Sequence, residues 1–322
     1  SLPTRRSRVR PPLPAPKKVM QLNFITSIFQ KYLDNKDIRI FKDNIFYYLI
    51  FRIIRNFLAY DIKITIYDFK VFGSIKKNKT SYFLLKKCEF GDYQELNIIE
   101  KFSKNSRVFF IDCGCNYGFY SFFAASLSKK NVVLSIEASK KTSEEFIKNQ
   151  NLNNLPNISF FNKAISDIDG KNVVLNESKN DWESSQTHSD FEKLLTTNIE
   201  TIRIDTLARN YNFENFQTII KLDIEGNEMN ALQGAIDLIE KTSPLIIIEF
   251  SKYIFNKKKN VEYLNFFLIK NDYSIYSTNN KKMSIKEILD KLNKLNKKSK
   301  TIGNYYLIKN SSIALKYLFS NE

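Results

Sequence analysis

The sequence is poor in residues that interrupt or cross-link a chain, with seven prolines, eight glycines and three cysteines among 322 residues. Five of the prolines fall within the first twenty residues, beside six lysines and arginines and no acidic residue. Such a segment cannot form a packed core, so residues 1–20 are predicted to be a disordered leader, with the natural chain beginning nearer Met20. The cysteines form no C-x-x-C pair, which indicates a reduced, cytoplasmic setting.

The sequence also lacks a membrane-spanning segment and a recognisable secretory signal. Its most apolar run, residues 45–60, is interrupted by Arg52 and Arg55. The aromatic and aliphatic side chains of this run are expected to pack against the rest of the protein, and the alternative is that they lie on a membrane surface. The sequence therefore predicts a cytoplasmic protein, with peripheral association at the inner membrane face as the second hypothesis.

Acidic residues are scarce: 34 of them face 50 lysines and arginines, which gives a net charge of +16 at pH 7. Removing the six positive charges of the predicted leader leaves +10. Eight lysines lie between Tyr276 and Thr301, against only Glu287 and Asp290. This segment is predicted to be a solvated helix or loop, while the basic charge leaves an anionic surface or a nucleic acid open as a partner.

Apolar strands alternate with helices in the part of the chain that follows residue 90. Strands are predicted at residues 107–112, 132–137, 157–162, 217–223 and 243–249. The alternation predicts an α/β fold, a Rossmann-like, doubly wound and mostly parallel sheet. Two further strands, at 273–276 and 302–309, are expected to close it as a seven-stranded sheet, with a lysine-rich insertion at 277–300 and a short helix at 311–320.

The region before this sheet is predicted to be an N-terminal α+β appendage, residues 21–90. Residues 21–60 are typical of two helices. A small β-meander is predicted at residues 62–67, 71–73 and 82–85. The main domain is then expected to occupy residues 91–322, and no internal repeat is evident.

The most informative motif is a strand that ends in a glycine-bearing turn at residues 108–119, followed by a second strand that ends at Glu137. The residues of this turn that bear on function are Asp112, Gly114, Asn116 and Gly118. A strand, a turn, a helix start and an acid-terminated strand form the first half of a nucleotide-binding unit. Asn116 stands where a dinucleotide fingerprint needs a glycine for the approach of pyrophosphate, so a ligand without pyrophosphate is favoured.

S-adenosylmethionine is such a ligand, with a zwitterionic end and an adenosine. Gly114 is expected to allow close backbone approach, Gly118 to open the helix, and free N–H groups there to face the ligand's carboxylate. Asp112 ends the strand beside them, and Glu137 is expected to accept hydrogen bonds from both ribose hydroxyls. The alternative is an ordinary strand–helix turn without a ligand.

A second group of charged residues lies where a later strand ends. Lys221, Asp223 and Glu225 alternate along one strand face, and Glu228 begins the next helix. Lys221 is expected to pair with Glu225 or Glu249, Asp223 to bind or deprotonate an acceptor, and Glu228 to be a favourable first-turn charge. Asp223 and Glu225 offer oxygen ligands to a divalent metal ion, but the sequence identifies no third ligand, so a metal is the weaker hypothesis.

The one histidine, His188, lies in a polar segment, residues 176–190, together with the one tryptophan, Trp182. Such a segment is typical of an active-site loop. An imidazole has the proton affinity of a general base, and the alternative is a solvated bystander. Trp182 is expected to stack on a sugar ring or to cover the cofactor.

Three blocks of the sequence resemble the FkbM-type methyltransferase family, a branch of the class I S-adenosylmethionine-dependent enzymes. They are residues 111–118, 162–167 and 220–228, the last followed by Leu232, Gly234 and Ala235. The resemblance covers about residues 90–276. Cys113 and Cys115 stand where the family more often has a small aliphatic residue or alanine. The resemblance implies an adenine pocket at Ala164 and Ile165, and an antiparallel last strand.

Together these features predict an O-methyltransferase that acts on a hydroxyl of a sugar, a glycan or another polar metabolite. Asp223 or His188 is the expected base, and Lys221 is expected to hold the charges of the site in place. One alternative is a nucleic-acid methyltransferase, although enzymes that methylate flipped bases usually carry a Pro-Pro-aromatic motif where this chain has residues 222–226. The other is a non-catalytic cofactor-binding scaffold. The fold does not identify the acceptor.

Overall fold

The computed structural model describes residues 17–55, 61–73, 79–177, 184–185, 195–296 and 299–319. His188, Trp182 and residues 1–16 lie outside these ranges. The chain divides into two compact units. The first is Ser1–Thr65 with Phe72–Glu89, and the second is Ile66–Val71 with Phe90–Glu322.

The first elements of the chain are three α-helices, a short 3-10 helix and a pair of strands. They are α1 (Lys17–Leu33), the 3-10 helix Ile38–Phe41, α2 (Ile45–Ile54), β1 (Ile62–Ile66), β2 (Phe69–Gly73) and α3 (Lys79–Lys87). The strands β1 and β2 form a two-stranded sheet. Because α1 begins at Lys17, the last four residues of the predicted leader are helical. The strand predicted at 82–85 is wrong, since these residues lie in α3, and a short apolar run fits either element.

Helix α2 is anchored by the residues on one of its sides. Asn44 caps its start by accepting a hydrogen bond from the backbone N–H of Tyr47, at 2.9 Å. Tyr47 and Phe51 are each 1% exposed and stack on one another, and the Tyr47 hydroxyl donates to the carbonyl of Leu85 at 2.7 Å. One side of α2 therefore belongs to the core of the first unit.

The remaining strands belong to the second unit. They are β3 (Arg107–Cys113), β4 (Val132–Ile136), β5 (Ile158–Phe161), β6 (Ala164–Ile165), β7 (Asn172–Glu177), β8 (Ser184–Ser185), β9 (Leu195–Ile202), β10 (Phe216–Leu222), β11 (Leu245–Ser251), β12 (Tyr273–Ser277), β13 (Lys282–Met283) and β14 (Thr301–Lys309). In the described part of the chain, eight of them form one sheet in the order β13-β12-β14-β11-β10-β3-β4-β5. The predicted doubly wound α/β fold is confirmed, and the two-residue strand β13 is the eighth member that the sequence did not predict.

The helices of the second unit alternate with these strands. They are α4 (Tyr93–Asn105), α5 (Phe119–Leu127), α6 (Lys140–Gln150), α7 (Ile204–Ala208), α8 (Glu228–Gln233), α9 (Ile236–Thr242), α10 (Lys252–Phe255), α11 (Lys258–Asn271), α12 (Ile285–Asn293) and α13 (Ala314–Phe319). The lysine-rich segment contains α12, which a capping box of Ser284 and Glu287 starts. None of the helices in the described residues combines the length and the apolar character that crossing a bilayer requires.

The order of the strands creates a switch point between β3 and β10. From β3 the chain adds β4 and β5 on one side, and it later returns to place β10 and β11 on the other, all in parallel pairs. Strand β14 pairs antiparallel with β11, as the family resemblance implied. In open α/β sheets, ligands bind beyond the carboxyl ends of the strands at such a switch point. The register places Asp112 of β3 opposite Lys221 of β10 at this point.

A second, four-stranded sheet was not predicted. Within the described residues its order is β6-β9-β7-β8, with β6 and β9 parallel and β7 antiparallel to β9. The register places Ala164 beside Thr201 and Ile165 beside Ile202. The strands β6 and β8 are two residues long and so too short for an alternating pattern, while the longer strands β7 and β9 were missed as well.

Candidate active site

The turn after β3 begins at Gly114 and leads into α5 at Gly118. Gly114, Asn116 and Gly118 are left-handed, with φ of 79°, 51° and 89°. The N–H groups of Gly114 and Cys115 donate to the carbonyl of Ile136, and that of Gly118 donates to the carbonyl of Cys115. The N–H groups of Gly114, Cys115 and Gly118 are therefore bonded within the protein. That other free N–H groups at the start of α5 face the ligand's carboxylate stays a prediction.

Gly114 is required by the contact between two turns. A Cβ atom at this position would lie 1.9 Å from the backbone carbonyl oxygen of Asp223, which follows β10. The N–H group of Asp223 donates to the carbonyl of Cys113 at 3.1 Å. The close approach predicted for a ligand at Gly114 is thus made by the backbone of Asp223.

Glu137 ties the end of β4 to the turn after β3. Its two carboxylate oxygens accept from the backbone N–H groups of Asn116, at 3.0 Å, and Ser139, at 2.8 Å. Burial raises the pKa of Glu137 to about 7, although these N–H groups favour the charged form. Glu137 as a whole is partly exposed. It is held in one orientation at the edge of the sheet where the sequence predicted a ribose contact.

Lys221 pairs with Asp223 and not, as predicted, with Glu225 or Glu249. Its Nζ atom lies 2.7 Å from Asp223 Oδ2, and the lysine side chain is 3% exposed. Burial disfavours the charged ammonium, but Asp223 and Asp112 outweigh it and raise the pKa of Lys221. The prediction was wrong because Glu225 is left-handed, with φ of 53°, and so leaves the strand face that Lys221 and Asp223 share.

Asp112 lies beneath this pair. Its Oδ2 atom accepts from the Ser121 hydroxyl at 2.6 Å, and Ser121 accepts from the Ser135 hydroxyl at 2.8 Å. Burial raises the pKa of Asp112, while Lys221 and the hydroxyl of Ser121 oppose that shift. The side chain is buried, so it supports Lys221 from within the sheet. Its predicted role as a cofactor-binding residue stays a prediction.

Two residues that the sequence analysis missed extend the group around Lys221. The ammonium lies 4.7 Å from the ring centre of Tyr120, within the range of a cation–π contact. The Tyr120 hydroxyl donates to Asp92 Oδ2 at 2.7 Å. Asp92 directly precedes α4, 16 residues before the motif at 108–119, and no sequence spacing pointed to it.

The turn after β10 is held by Glu228. Its Oε1 atom accepts from the N–H groups of Ile224, at 3.2 Å, and Gly226, at 3.1 Å. Glu228 begins α8, as predicted, but it is 1% exposed and its carboxylate bonds the preceding turn. Burial raises the pKa of Glu228 to about 7, with backbone N–H groups opposing the shift.

Three carboxylates converge at the carboxyl ends of β10 and β11. One ligand atom from each of Asp223, Glu225 and Glu249 lies within 4.8 Å of the others. Burial and then Asp223 raise the pKa of Glu249. The sequence placed Glu249 at a strand end without joining it to the other two. The structure thus supplies the third oxygen ligand that the metal hypothesis lacked.

The second and third sequence blocks are held together by the turn after β10. Asn227 donates from Nδ2 to the carbonyl of Ile165 at 2.7 Å. A Cβ atom at Gly234 would lie 2.2 Å from the carbonyl oxygen of Ser166. Ala164 and Ile165 are buried in β6. Asn227 and Gly234 therefore position the strand where the family resemblance puts the adenine pocket.

The predicted residues fall into two groups at the carboxyl edge of the sheet. Asp112, Gly114, Asn116, Gly118 and Glu137 surround the turn after β3, and Lys221, Asp223 and Glu225 surround the turn after β10. Ala164 and Ile165 are linked to the second group through Asn227. His188 lies outside the described residues.

The Methyltransferase FkbM domain family matches residues 112–299, more than half of the chain. A comparison with curated proteins finds no match.

Solved structures show a weaker likeness. The methyltransferase FkbM from Methylobacillus flagellatus KT is 15% identical with a TM-score of 0.37, and the match covers 71% of this chain and 52% of that one. TYW2 of M. jannaschii, in complex with AdoMet, is 12% identical with a TM-score of 0.39, over 77% and 86%. An rRNA methylase from Streptococcus thermophilus is 10% identical with a TM-score of 0.38, over 69% and 97%. The present chain thus spans about half the length of the first of these proteins.

Proposed function

Because this chain belongs to the FkbM methyltransferase domain family, we propose that it is an S-adenosylmethionine-dependent O-methyltransferase. The proposed acceptor is a hydroxyl of a sugar, a glycan or another polar metabolite. The supporting observation is the pair of polar groups at the switch point of the sheet. Glu137 is fixed by two backbone N–H groups on one side, and Asp223 is fixed by Lys221 on the other.

The residues of the first turn fit the proposed cofactor. Each oxygen of Glu137 holds one backbone N–H group, and a carboxylate has further lone pairs that suit the two ribose hydroxyls. Asn116 Oδ1 is buried and has no hydrogen-bond partner among the described residues. A donor such as the ligand's ammonium group would satisfy it. In this proposal Gly118 shapes the turn, and Ala164 and Ile165 border the adenine.

When bound, S-adenosylmethionine supplies an electrophilic methyl group, so the task of the protein is to position and deprotonate a hydroxyl. Asp223 is the proposed base, and it receives the proton at Oδ1, the oxygen that does not bond Lys221. The buried Lys221 ammonium holds the Asp223 carboxylate in one orientation. His188, the other predicted base, lies outside the described residues.

The acceptor side of the site is acidic, because Glu225 and Glu249 accompany Asp223 and the ammonium of Lys221 is engaged. Carboxylates favour a neutral polyol or a cation over a polyanion. This argues for a hydroxylated metabolite and against a nucleic acid, the alternative that the net charge of +16 raises. A gel shift with RNA at rising salt checks that alternative, since tight and salt-sensitive binding would revive it.

The test of the base is Asp223→Asn, assayed by transfer of a labelled methyl group from S-adenosylmethionine to a panel of sugars, glycans and hydroxylated metabolites. Turnover is expected to fall about 10²- to 10⁴-fold, the usual contribution of a general base. Binding of S-adenosylhomocysteine, followed by calorimetry, should stay unchanged. Glu225→Gln is the matched control, with a small expected loss. Equal turnover of Asp223→Asn and the natural protein would remove Asp223 from the mechanism.

The proposal does not require a metal ion. Asp223 already has the Lys221 ammonium as a counter-ion at 2.7 Å, which reduces the attraction of the three carboxylates for a cation. Full activity is therefore expected after exhaustive chelation. If chelation abolishes turnover and Mg²⁺ restores it, the ion belongs to the mechanism.

The non-catalytic alternative predicts binding without transfer. In that case S-adenosylhomocysteine would bind, while no hydroxylated acceptor would receive label. Methyl transfer to any hydroxylated acceptor rules that alternative out, and absence of cofactor binding would remove the proposed function altogether.

A further inference from the structure

Helix α2 exposes an apolar face to solvent. Six of its ten residues are large hydrophobic side chains that are exposed, namely Ile45, Phe46, Tyr48, Leu49, Ile50 and Ile53. Phe46 is 75% exposed and Ile53 is 67% exposed. Scattered exposed hydrophobic residues are normal, but an apolar patch of this density marks a binding surface.

The spacing of these residues is that of one helix face. Phe46, Leu49, Ile50 and Ile53 follow the i, i+3, i+4, i+7 pattern that normally faces a core. The core side of α2 is the other one, where Tyr47 and Phe51 are buried. The exposed pattern is therefore a second apolar face, which the fold of the first unit does not use.

Helix α1 repeats this arrangement. Phe24, Ile28 and Tyr32 lie four residues apart and are exposed, while Phe29 and Leu33 on the same helix are buried. An i, i+4, i+8 row of apolar side chains again faces solvent. Both helices at the start of the chain thus have one face in the core and one apolar face outside it.

Positive charge borders the exposed face of α2. Arg52 is exposed on the helix itself, one turn after Leu49 and Tyr48. A cavity of about 270 Å³ opens at the start of α2. Its lining consists of Phe41, Asp43, Asn44, Ile45, Tyr47, Tyr48, Lys86 and Lys87. Two lysines therefore flank the apolar residues at one end of the helix, against the single acidic residue Asp43.

The charge of the whole first unit has the same sign. It contains 18 lysines and arginines and five acidic residues, so its net charge is +13, whereas the second unit carries the remaining +3 of the total of +16. Six of the positive charges belong to residues 1–20, and without them the first unit still carries +7. An apolar helix face surrounded by cationic side chains is complementary to a surface with an apolar interior and an anionic outer layer. A second copy of this chain is a poor match, because it would bring two units of +13 together.

We propose that the exposed face of α2 docks on an anionic lipid surface, with the helix lying in the plane of the interface. Phe46, Leu49, Ile50 and Ile53 enter the boundary between headgroups and acyl chains, and Arg52, Lys86 and Lys87 face the headgroup phosphates. The surface would place the methyltransferase unit next to acceptors that are held at a membrane. It does not depend on which acceptor the enzyme methylates.

The test is flotation of the full chain with vesicles of phosphatidylcholine alone and with vesicles that also contain phosphatidylglycerol. Binding is expected only to the anionic vesicles and should weaken as salt rises. The double variant Phe46→Ser, Ile53→Ser should lower the vesicle affinity at least about tenfold, because two apolar side chains no longer enter the interface. Arg52→Glu with Lys87→Glu should abolish the preference for anionic vesicles.

The matched control is Phe266→Ser, Ile269→Ser on α11, where two hydrophobic side chains are 58% and 74% exposed. This control should bind vesicles as the natural chain does. All of the substituted residues are exposed, and unchanged circular dichroism and melting temperature verify folding. Absence of binding to anionic vesicles, or equal loss in the control, would overturn the proposal. So would a dimer that the Phe46 and Ile53 substitutions dissociate, since the face would then bind a second copy.

The four arginines at positions 5, 6, 8 and 10 provide a separate source of charge. Replacing them with serine should leave the dependence on Phe46 and Ile53 intact. If vesicle binding is instead lost when these arginines are replaced and is insensitive to the α2 substitutions, the segment that contains the arginines binds the vesicle and α2 does not.

Discussion

The turns after β3 and β10 are built alike, yet the glutamates that hold them differ in exposure. Each turn contains left-handed residues, and a single glutamate accepts hydrogen bonds from two backbone N–H groups to hold it. The pKa of each glutamate is raised by burial to about 7. Glu137 is partly exposed, whereas Glu228 is 1% exposed. The same local chemistry therefore leaves Glu137 partly exposed, where the proposal assigns it to the ribose, and encloses Glu228 in the fold.

The largest expected effect comes from a substitution that disrupts the contact between the two turns. Gly114→Ala should destabilise the protein by about 3–5 kcal/mol, because a Cβ atom would overlap the carbonyl oxygen of Asp223 and the backbone is left-handed. Urea unfolding measures the change. The control is Gly170→Ala, which is also left-handed but has nothing within 4 Å of its Cβ position. It should cost about 1 kcal/mol. Equal losses would mean that contact between the turns is unimportant.

The second prediction is that the two glutamates contribute differently to the pH dependence of stability. Glu228 keeps its proton in the folded state up to about pH 7 but loses it near pH 4.5 when unfolded. In this window the folded state binds more protons, so the contribution of Glu228 to stability is fully present below about pH 4.5 and is lost as the pH rises to about 7. The loss is on the order of 3 kcal/mol. Glu228→Gln should remove this slope in unfolding curves measured across the window.

The same substitution at Glu137 provides the comparison. Glu137 is a partly exposed residue whereas Glu228 is buried, so Glu137→Gln should remove less of the pH slope than Glu228→Gln does. Identical slopes in the two variants would contradict the assignment of Glu228 as the buried member of the pair.

For ligand binding, the substitution of Glu137 should have the larger effect and the substitution of Glu228 the smaller. Glu137→Gln should weaken the binding of S-adenosylhomocysteine about 30-fold, because the amide loses charged hydrogen bonds to the ribose. Glu228→Gln should leave the affinity within about threefold, since that carboxylate is buried. Calorimetric titration of both variants decides the matter. A large loss of affinity in Glu228→Gln alone would exchange the roles of the two turns.

Sequence reasoning located both turns but did not find their partners. Spacing along the chain was enough to place Asp112, Glu137 and Asp223 at strand ends, because each ends a recognisable apolar run. Spacing could not reveal that Glu225 has a left-handed backbone conformation, or that Lys221 therefore pairs with Asp223. Such a choice depends on one backbone dihedral, and apolar periodicity is insensitive to it.

Contacts between distant segments were missed for a different reason. Tyr120 meets Lys221 through the packing of α5 on the sheet, and Asn227 meets Ile165 through the placement of β6. These pairs are separated by about a hundred and about sixty residues, respectively. A single sequence predicts elements and their order, but the partners of a polar side chain follow from how the elements pack.

The smallest expected effect concerns the contact between the turn after β10 and β6. Asn227→Ala should lower stability by about 1 kcal/mol, because the carbonyl of Ile165 loses its donor at 2.7 Å. It should also weaken the binding of S-adenosylhomocysteine a few-fold if β6 borders the adenine. The control is Asn230→Ala, which removes a donor to Asn227 Oδ1 without touching β6. If both variants lose stability but neither loses affinity, the turn after β10 supports β6 for folding alone. The cofactor would then be held entirely by the turn after β3.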